Sequence, residues 1–390
     1  MSNFKLSKKL TVVGFFIAVF IVGLDSFIIS SLLPTIATAF STKVVNVGLG
    51  VTVYAIFYAV GAPIIAPFSE ILPRKMMIVT GLLLFTIATF LCGTATNLTS
   101  FYIFRALAGL GAAMFTPNVF AYIGNNFNKE DIGKIMGIVM SALSLSIAVG
   151  VPIGSFITNL WNWNWTFFGS SIFAVISWFL IILSVEKDVK NQNVVTTNPL
   201  SHYVNVIKNP RAFLGLLTIL FWMYGFYAIY TYLGTYIGQN FHLSVRDTGL
   251  VFMVYGLSNF ISSFSGGWIG SNFGMKKVIL FSGIIVCLAY FALGVKGSGL
   301  ILFIVALSVS AFAQGVGVPQ LITFNATVLP ASRATMTSLN NSFLYLGLTL
   351  GSALGGVLLE NLSFTAICIN AVASTAIAIL ISQNIIKEGV

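Results

Sequence analysis

Of the nine carboxylates in this chain, one, Asp25, lies in the middle of an unbroken apolar run. The others are Glu70, Glu130, Asp131, Glu186, Asp188, Asp247, Glu360 and Glu388, and all fall at or beyond the ends of apolar runs. Among the cations, Arg105 has the same distinction. An Asp at the centre of a membrane helix costs about 2.5–3.5 kcal/mol on insertion scales, so such residues face a bundle interior or an aqueous cavity and mark ion or proton pathways. Burial favours the neutral acid, and a neighbouring guanidinium favours the carboxylate. A carboxylate held between those two influences can take up and release a proton. The same two residues can also form a permanent ion pair that only fixes helix packing.

The elements that position them follow from composition. The chain is 57% hydrophobic and 7% charged, with a mean hydropathy of +0.98, whereas a soluble domain carries about 25% charged residues. A hydrocarbon core roughly 30 Å thick needs about 20 apolar residues per spanning helix. Twelve runs qualify: 11–35, 44–68, 76–94, 99–123, 135–159 and 167–185, then 212–237, 248–270, 277–295, 299–327, 335–359 and 363–385. The runs are continuous rather than alternating, which excludes a barrel. The expected fold is therefore an all-α polytopic membrane protein.

The net charge of +10 reports topology. With the N-terminus inside, fifteen of the 19 Lys and Arg fall in inside segments, and Lys43, Arg246 and Lys296 fall outside. This is the positive-inside pattern, with both termini cytoplasmic. It leaves no case for a nucleic-acid partner. In this topology Asp25 lies about fourteen residues into its run, roughly 21 Å from the inner boundary at the helical rise, which leaves about 9 Å to the outer one. Arg105 lies about six residues into a run entering from outside, also roughly 9 Å deep. The opposite charges stand level.

A hydrophilic stretch, 186–210, separates six runs from six. Features recur across it in the same order. Gly23-Leu24-Asp25 overlies Gly225-Phe226-Tyr227, and Pro73-Arg74-Lys75 overlies Gly274-Met275-Lys276. Gly109-Leu110-Gly111 overlies Gly315-Val316-Gly317, and Gly150–Gly154 overlies Gly351–Gly355. The chain reads as a duplicated six-helix unit: bundle 1–185, cytoplasmic linker 186–210, bundle 211–390.

On these features the chain resembles a twelve-helix transporter of the major facilitator superfamily, nearest to the drug:proton antiporter and arabinose-efflux-like exporters. The superfamily loop G-x-L-a-D-r-x-G-r-k compares with Ala66–Lys75, where Glu70 stands for Asp and Pro73 for Gly. The helix-one pattern L-D-x-T-I-V-N-V-A-L-P compares with Leu24–Pro34, which keeps the Asp and the Pro. Arg105 followed by Gly109 and Gly111 resembles helix four of the antiporters, and Gly150-Val151-Pro152-Ile153-Gly154 is a shortened form of their helix-five signature. The resemblance implies two pseudo-symmetric bundles and proton-coupled efflux of small amphipathic molecules from a bacterial cytoplasmic membrane by alternating access, by a monomer without cofactor other than protons. A dedicated exporter of nucleosides, purines or sugars is the nearest alternative. An uncoupled pore or a lipid-handling protein is the alternative from another class, and one buried carboxylate is too little for a pore lining.

Site expectations follow. Asp25 and Arg105 are the proton-coupling candidates. Tyr54, Tyr58, Trp222, Tyr227, Tyr255, Asn259, Gln314, Asn341 and Tyr345 supply aromatic faces with a few amides, which suits a flat amphipathic or cationic small molecule. The same types also serve helix packing and the membrane interface. Gly150, Pro152 and Gly154 mark either a bend or tight packing. Glu70, with Arg74 and Lys75, is either a gating latch at the cytoplasmic end of helix two or a solvated loop cluster. No phosphate-binding loop, metal-ligand spacing or nucleophile elbow occurs, so neither direct ATP drive nor an enzyme is expected.

Overall fold

In the computed structural model, residues 2–66, 68–186 and 199–386 are described; the side chains of 2–7, 70, 71, 129, 199–202, 267, 331, 333 and 334 are outside that description. Fifteen α-helices follow one another with no strand among the described residues: α1 Ser2–Ala39, α2 Val44–Ile65, α3 Phe68–Ile71, α4 Arg74–Thr94, α5 Leu98–Asn126, α6 Lys129–Leu145, α7 Val151–Leu160, α8 Trp163–Ser184, α9 Pro199–Lys208, α10 Pro210–Phe241, α11 Val245–Phe273, α12 Met275–Leu293, α13 Leu300–Thr327, α14 Arg333–Asn361 and α15 Phe364–Ile385. Twelve spans among the described residues are long and apolar enough to cross a membrane, α6 and α7 together making the fifth. Helices are the form in which a chain can satisfy its own backbone in lipid without a closed barrel.

Two compact units emerge: Met1–Val195 with Ser244–Gly249, and Thr196–Leu243 with Leu250–Val390. In the first, α1 packs on α6 and α8, and α5 lies between α2 and α4. In the second, α10 packs on α14 and α15, and α12 on α13. The glycine repeat explains how the helices approach. A Cβ at Gly109 would collide with the Tyr54 carbonyl of α2, and one at Gly111 would lie 2.5 Å from the Phe85 nitrogen of α4. In the second unit a Cβ at Gly315 would collide with Ser262 of α11, and one at Gly317 with Ser282 of α12. Each Gly-x-Gly thus presses one glycine on each of two neighbouring helices, the small-residue packing that membrane bundles use.

Two local features differ from the sequence expectation. The second span stops at Ile65, three residues short of the expected end, and a separate turn, Phe68–Ile71, follows. Pro67 has no N–H to continue the ladder. Glu70 therefore stands on that separate turn and not on the end of helix two; its side chain lies outside the described residues. The fifth span is also not one continuous α-helix. Ser146–Gly150 form a π turn, closed by the Val151 N–H on the Ser146 carbonyl. Pro152 lacks a donor and its ring crowds the carbonyl four residues back, which a widened turn relieves.

Candidate functional site

Asp25 is brought to Arg105 directly. α1 carries the carboxylate and α5 the guanidinium, and Arg105 Nη1 donates to Asp25 Oδ2 at 2.5 Å. Both side chains are 0% exposed. Arg105 Nε donates to the Gly50 carbonyl of α2 at 3.3 Å, and the guanidinium carbon lies 4.4 Å from the centre of the Tyr54 ring. Gly50 permits this approach, since a Cβ there would lie 2.6 Å from Phe101. The cation thus ties three helices together and rests on an aromatic face. Asp25 Oδ1 and Arg105 Nη2 are buried with no hydrogen-bond partner among the described residues. Leaving an acceptor and a donor of a buried ion pair without a partner costs free energy. Thr89 and Cys92 of α4 are also fully buried, and Cys92 lies within the electrostatic reach of the pair. Neither stood out in the sequence, because a Thr and a Cys in an apolar run read as fillers.

Around the fifth-span break, a Cβ at Gly150 would lie 3.0 Å from Leu24 Cδ1, and one at Gly154 would lie 2.8 Å from Ile28 Cδ1. Ser155 Oγ donates to Ser31 Oγ at 3.0 Å. Gly150 of the π turn and Gly154 and Ser155 of α7 therefore pack on the stretch of α1 that carries Asp25. Arg74 and Lys75 work elsewhere. Arg74 Nη1 donates to the Ala121 carbonyl at 3.1 Å, and Lys75 Nζ to the Ile182 and Val185 carbonyls at 2.8 and 2.5 Å. Both residues open α4, and the Lys75 ammonium docks on the C-terminal end of α8, where the macrodipole favours a cation.

The second unit has no charge at the corresponding place. Trp222 Nε1 of α10 donates to Gln314 Oε1 of α13 at 2.5 Å, and Gln314 Nε2 donates to the Tyr290 hydroxyl of α12 at 2.7 Å. Trp222, Gln314 and Tyr290 are all buried. Asn259 Nδ2 donates to the Ala311 carbonyl at 3.1 Å. Gly109 abuts the Tyr54 carbonyl and Gly315 the Asn259 carbonyl, so Tyr54 and Asn259 are equivalent positions in the two units. Beside this chain, Phe226 stacks on Tyr255 with centroids 6.1 Å apart, and Tyr230 meets Phe252 and Tyr255 edge-on. A small void remains between Tyr230, Tyr255, Tyr290 and Ser310.

The expected substrate residues thus separate into groups. Trp222, Gln314 and Asn259 turn their polar atoms to neighbouring helices. Tyr54 and Tyr58 are buried in the first unit, and Tyr54 underlies Arg105. Tyr227 and Tyr255 belong to the aromatic cluster of the second unit. Asn341 and Tyr345 on α14 are half-buried. Tyr290 was missed as a partner of Gln314, and its only sequence signal was being the one polar-tipped aromatic inside its span. Among the described residues no group of His, Cys, Asp and Glu is arranged to hold a metal ion.

The model of the Major Facilitator Superfamily matches residues 15–244 and 233–386. The chain belongs to the major facilitator superfamily. It is 30% identical over 348 residues to the Uncharacterized MFS-type transporter YceJ of Bacillus subtilis (strain 168), covering 89% of this chain and 88% of that protein. It is 24% identical to Multidrug resistance protein 2 of the same organism, over 88% of this chain and 87% of that one. Its fold matches the human organic anion transporter MFSD10 (TETRAN) with a TM-score of 0.72 at 15% identity, over 96% of this chain and 99% of that one. As a major facilitator superfamily member this is a multi-pass membrane transporter, and the buried pair on α1 and α5 stands inside its first six-helix unit.

Proposed function

We propose that this major facilitator superfamily member exports small amphipathic molecules across the cytoplasmic membrane in exchange for protons, by alternating access. The observation that carries the reading is the fully buried Asp25–Arg105 pair with Asp25 Oδ1 open to a further hydrogen bond. Protonation of Asp25 removes the negative partner and leaves Arg105 on the Gly50 carbonyl and the Tyr54 face. Arg105 then holds a net positive charge beside the site. Deprotonation returns the pair to neutrality. A substrate that donates a hydrogen bond to the carboxylate, or that carries positive charge, binds the deprotonated form better. Proton and substrate then compete, which is the requirement for exchange. In this reading both termini are cytoplasmic, and the π turn with Pro152 lets the fifth span bend as α1 responds. The similarity to a protein named for multidrug resistance is consistent with amphipathic cargo.

The test is substrate-dependent proton release from purified protein in liposomes, with a panel of amphipathic dyes and a parallel panel of nucleosides and sugars. Release on adding dyes, and its loss in Asp25→Asn, is expected. Full proton-driven efflux by Asp25→Asn would sink the proposal. Release with nucleosides or sugars alone would instead favour a dedicated metabolite exporter.

A further inference from the structure

Helix α9 takes no part in the spans or in the buried pair. It runs Pro199–Lys208, and Asn209 alone separates it from Pro210, where the seventh span begins. The Asn209 N–H donates to the Asn205 and Val206 carbonyls at 3.1 and 3.2 Å, and its side chain accepts from the Ala212 N–H at 3.1 Å. This connection has no slack. The C-terminal end of α9 is therefore held at the first residue of the long apolar helix α10.

One edge of α9 is anchored to its own unit. Val206 is fully buried with Ala212, Leu216, Met336 and Leu339, and Tyr203 packs on that cluster. At helical spacing a different face then carries Val204 and Ile207, which are 42% and 59% exposed. Lys208 and Arg211 beside them are exposed too. The sequence from Pro199 to Arg246 contains no acidic residue. Apolar residues with flanking cations, tethered to the start of a spanning helix, make up the composition of an interfacial helix.

We propose that α9 lies in the headgroup layer of an anionic bilayer, with Val204 and Ile207 dipping into the acyl boundary and Lys208 and Arg211 holding lipid phosphates. The second unit is thereby tied to the anionic leaflet independently of what it transports. Each cation near an anionic surface contributes about 1 kcal/mol, a roughly five-fold effect on local lipid enrichment.

The full chain is placed in nanodiscs of phosphatidylcholine with phosphatidylglycerol, with a fluorophore on Ile207→Cys or, on the far side of the helix, Asn205→Cys. The parent chain is labelled in parallel to subtract reaction at Cys287. The label at 207 is expected to be quenched by brominated lipid and shielded from iodide, and the label at 205 the reverse. Brominated phosphatidylglycerol is expected to quench the 207 label more than brominated phosphatidylcholine. Lys208→Gln and Arg211→Gln should each reduce that preference roughly five-fold. Equal iodide access at 205 and 207 overturns the proposal, whether water or a protein partner covers the face. So does a phosphatidylglycerol preference that survives both substitutions.

Discussion

The two units solve one packing problem with different chemistry. In the first, a helix-four residue reaches helix one as a cation on a carboxylate, Arg105 to Asp25. In the second, the matching helices α13 and α10 are joined by neutral groups, Gln314 and Trp222. The glycines that bring the neighbouring helices close are the same in both. In the glycine register Arg105 corresponds to Ala311 and Asp25 to Tyr227, so the neutral bridge stands at different positions and holds its own helices without charge. Buried ion pairs are weak evidence for stability, since their desolvation offsets the Coulombic gain. On the proposed function, the second unit's bridge is structural and the first unit's pair moves charge.

The most severe way to break this comparison is Arg105→Leu. It strands the Asp25 carboxylate, and a loss of about 3–5 kcal/mol is expected, read from denaturant unfolding in detergent. The double variant Asp25→Leu/Arg105→Leu should recover most of that stability while losing proton-coupled transport. A double variant that still couples protons would make the first unit's pair no more than a counterpart of Gln314–Trp222. Next is Gln314→Leu, which leaves the Trp222 N–H and the Tyr290 hydroxyl without their shared partner. The expected cost is about 1–3 kcal/mol, with proton release per substrate unchanged in liposomes. The glycines allow a finer contrast. Gly111→Ala drives a methyl against backbone, the Phe85 nitrogen and the Gly81 carbonyl, and should cost about 1–3 kcal/mol. Gly317→Ala meets the Ser282 hydroxyl and the Trp222 ring edge, and the hydroxyl can rotate, so thermal melts should show a smaller loss. The smallest effect is expected at Lys75→Gln. Loss of the cation from the last carbonyls of α8 should cost about 0.3–1 kcal/mol, visible as faster amide exchange at that helix end and not as altered coupling.

Much of this was legible in the residues. Twelve spans, the division into sixes and the Gly-x-Gly repeat followed from hydropathy and order. The level placement of Asp25 and Arg105 followed from the helical rise, and the two do meet at 2.5 Å. The π turn at Ser146–Gly150 was only half legible: Pro152 announced a disturbance, but whether a helix kinks or widens depends on what packs beside it, here Leu24 and Phe20. The end of the second span at Ile65 was misjudged because Pro67 and Phe68 are as apolar as the helix before them. The polar partners of Trp222 and Asn259, and the cation over the Tyr54 ring, were not legible at all.

The reason is geometric. Rise per residue converts position in a sequence into depth in the bilayer, so the sequence by itself determined how many helices cross, where each residue stands along the normal and that one carboxylate must be sheltered. It did not determine azimuth. A span in lipid is apolar on every side, and its periodicity does not say which face meets a neighbour. Only the packed helices decided that Tyr54 lies beneath Arg105, that Gln314 turns to Trp222 and Tyr290, and that Asp25 gives one oxygen to its arginine while the other meets no partner among the described residues.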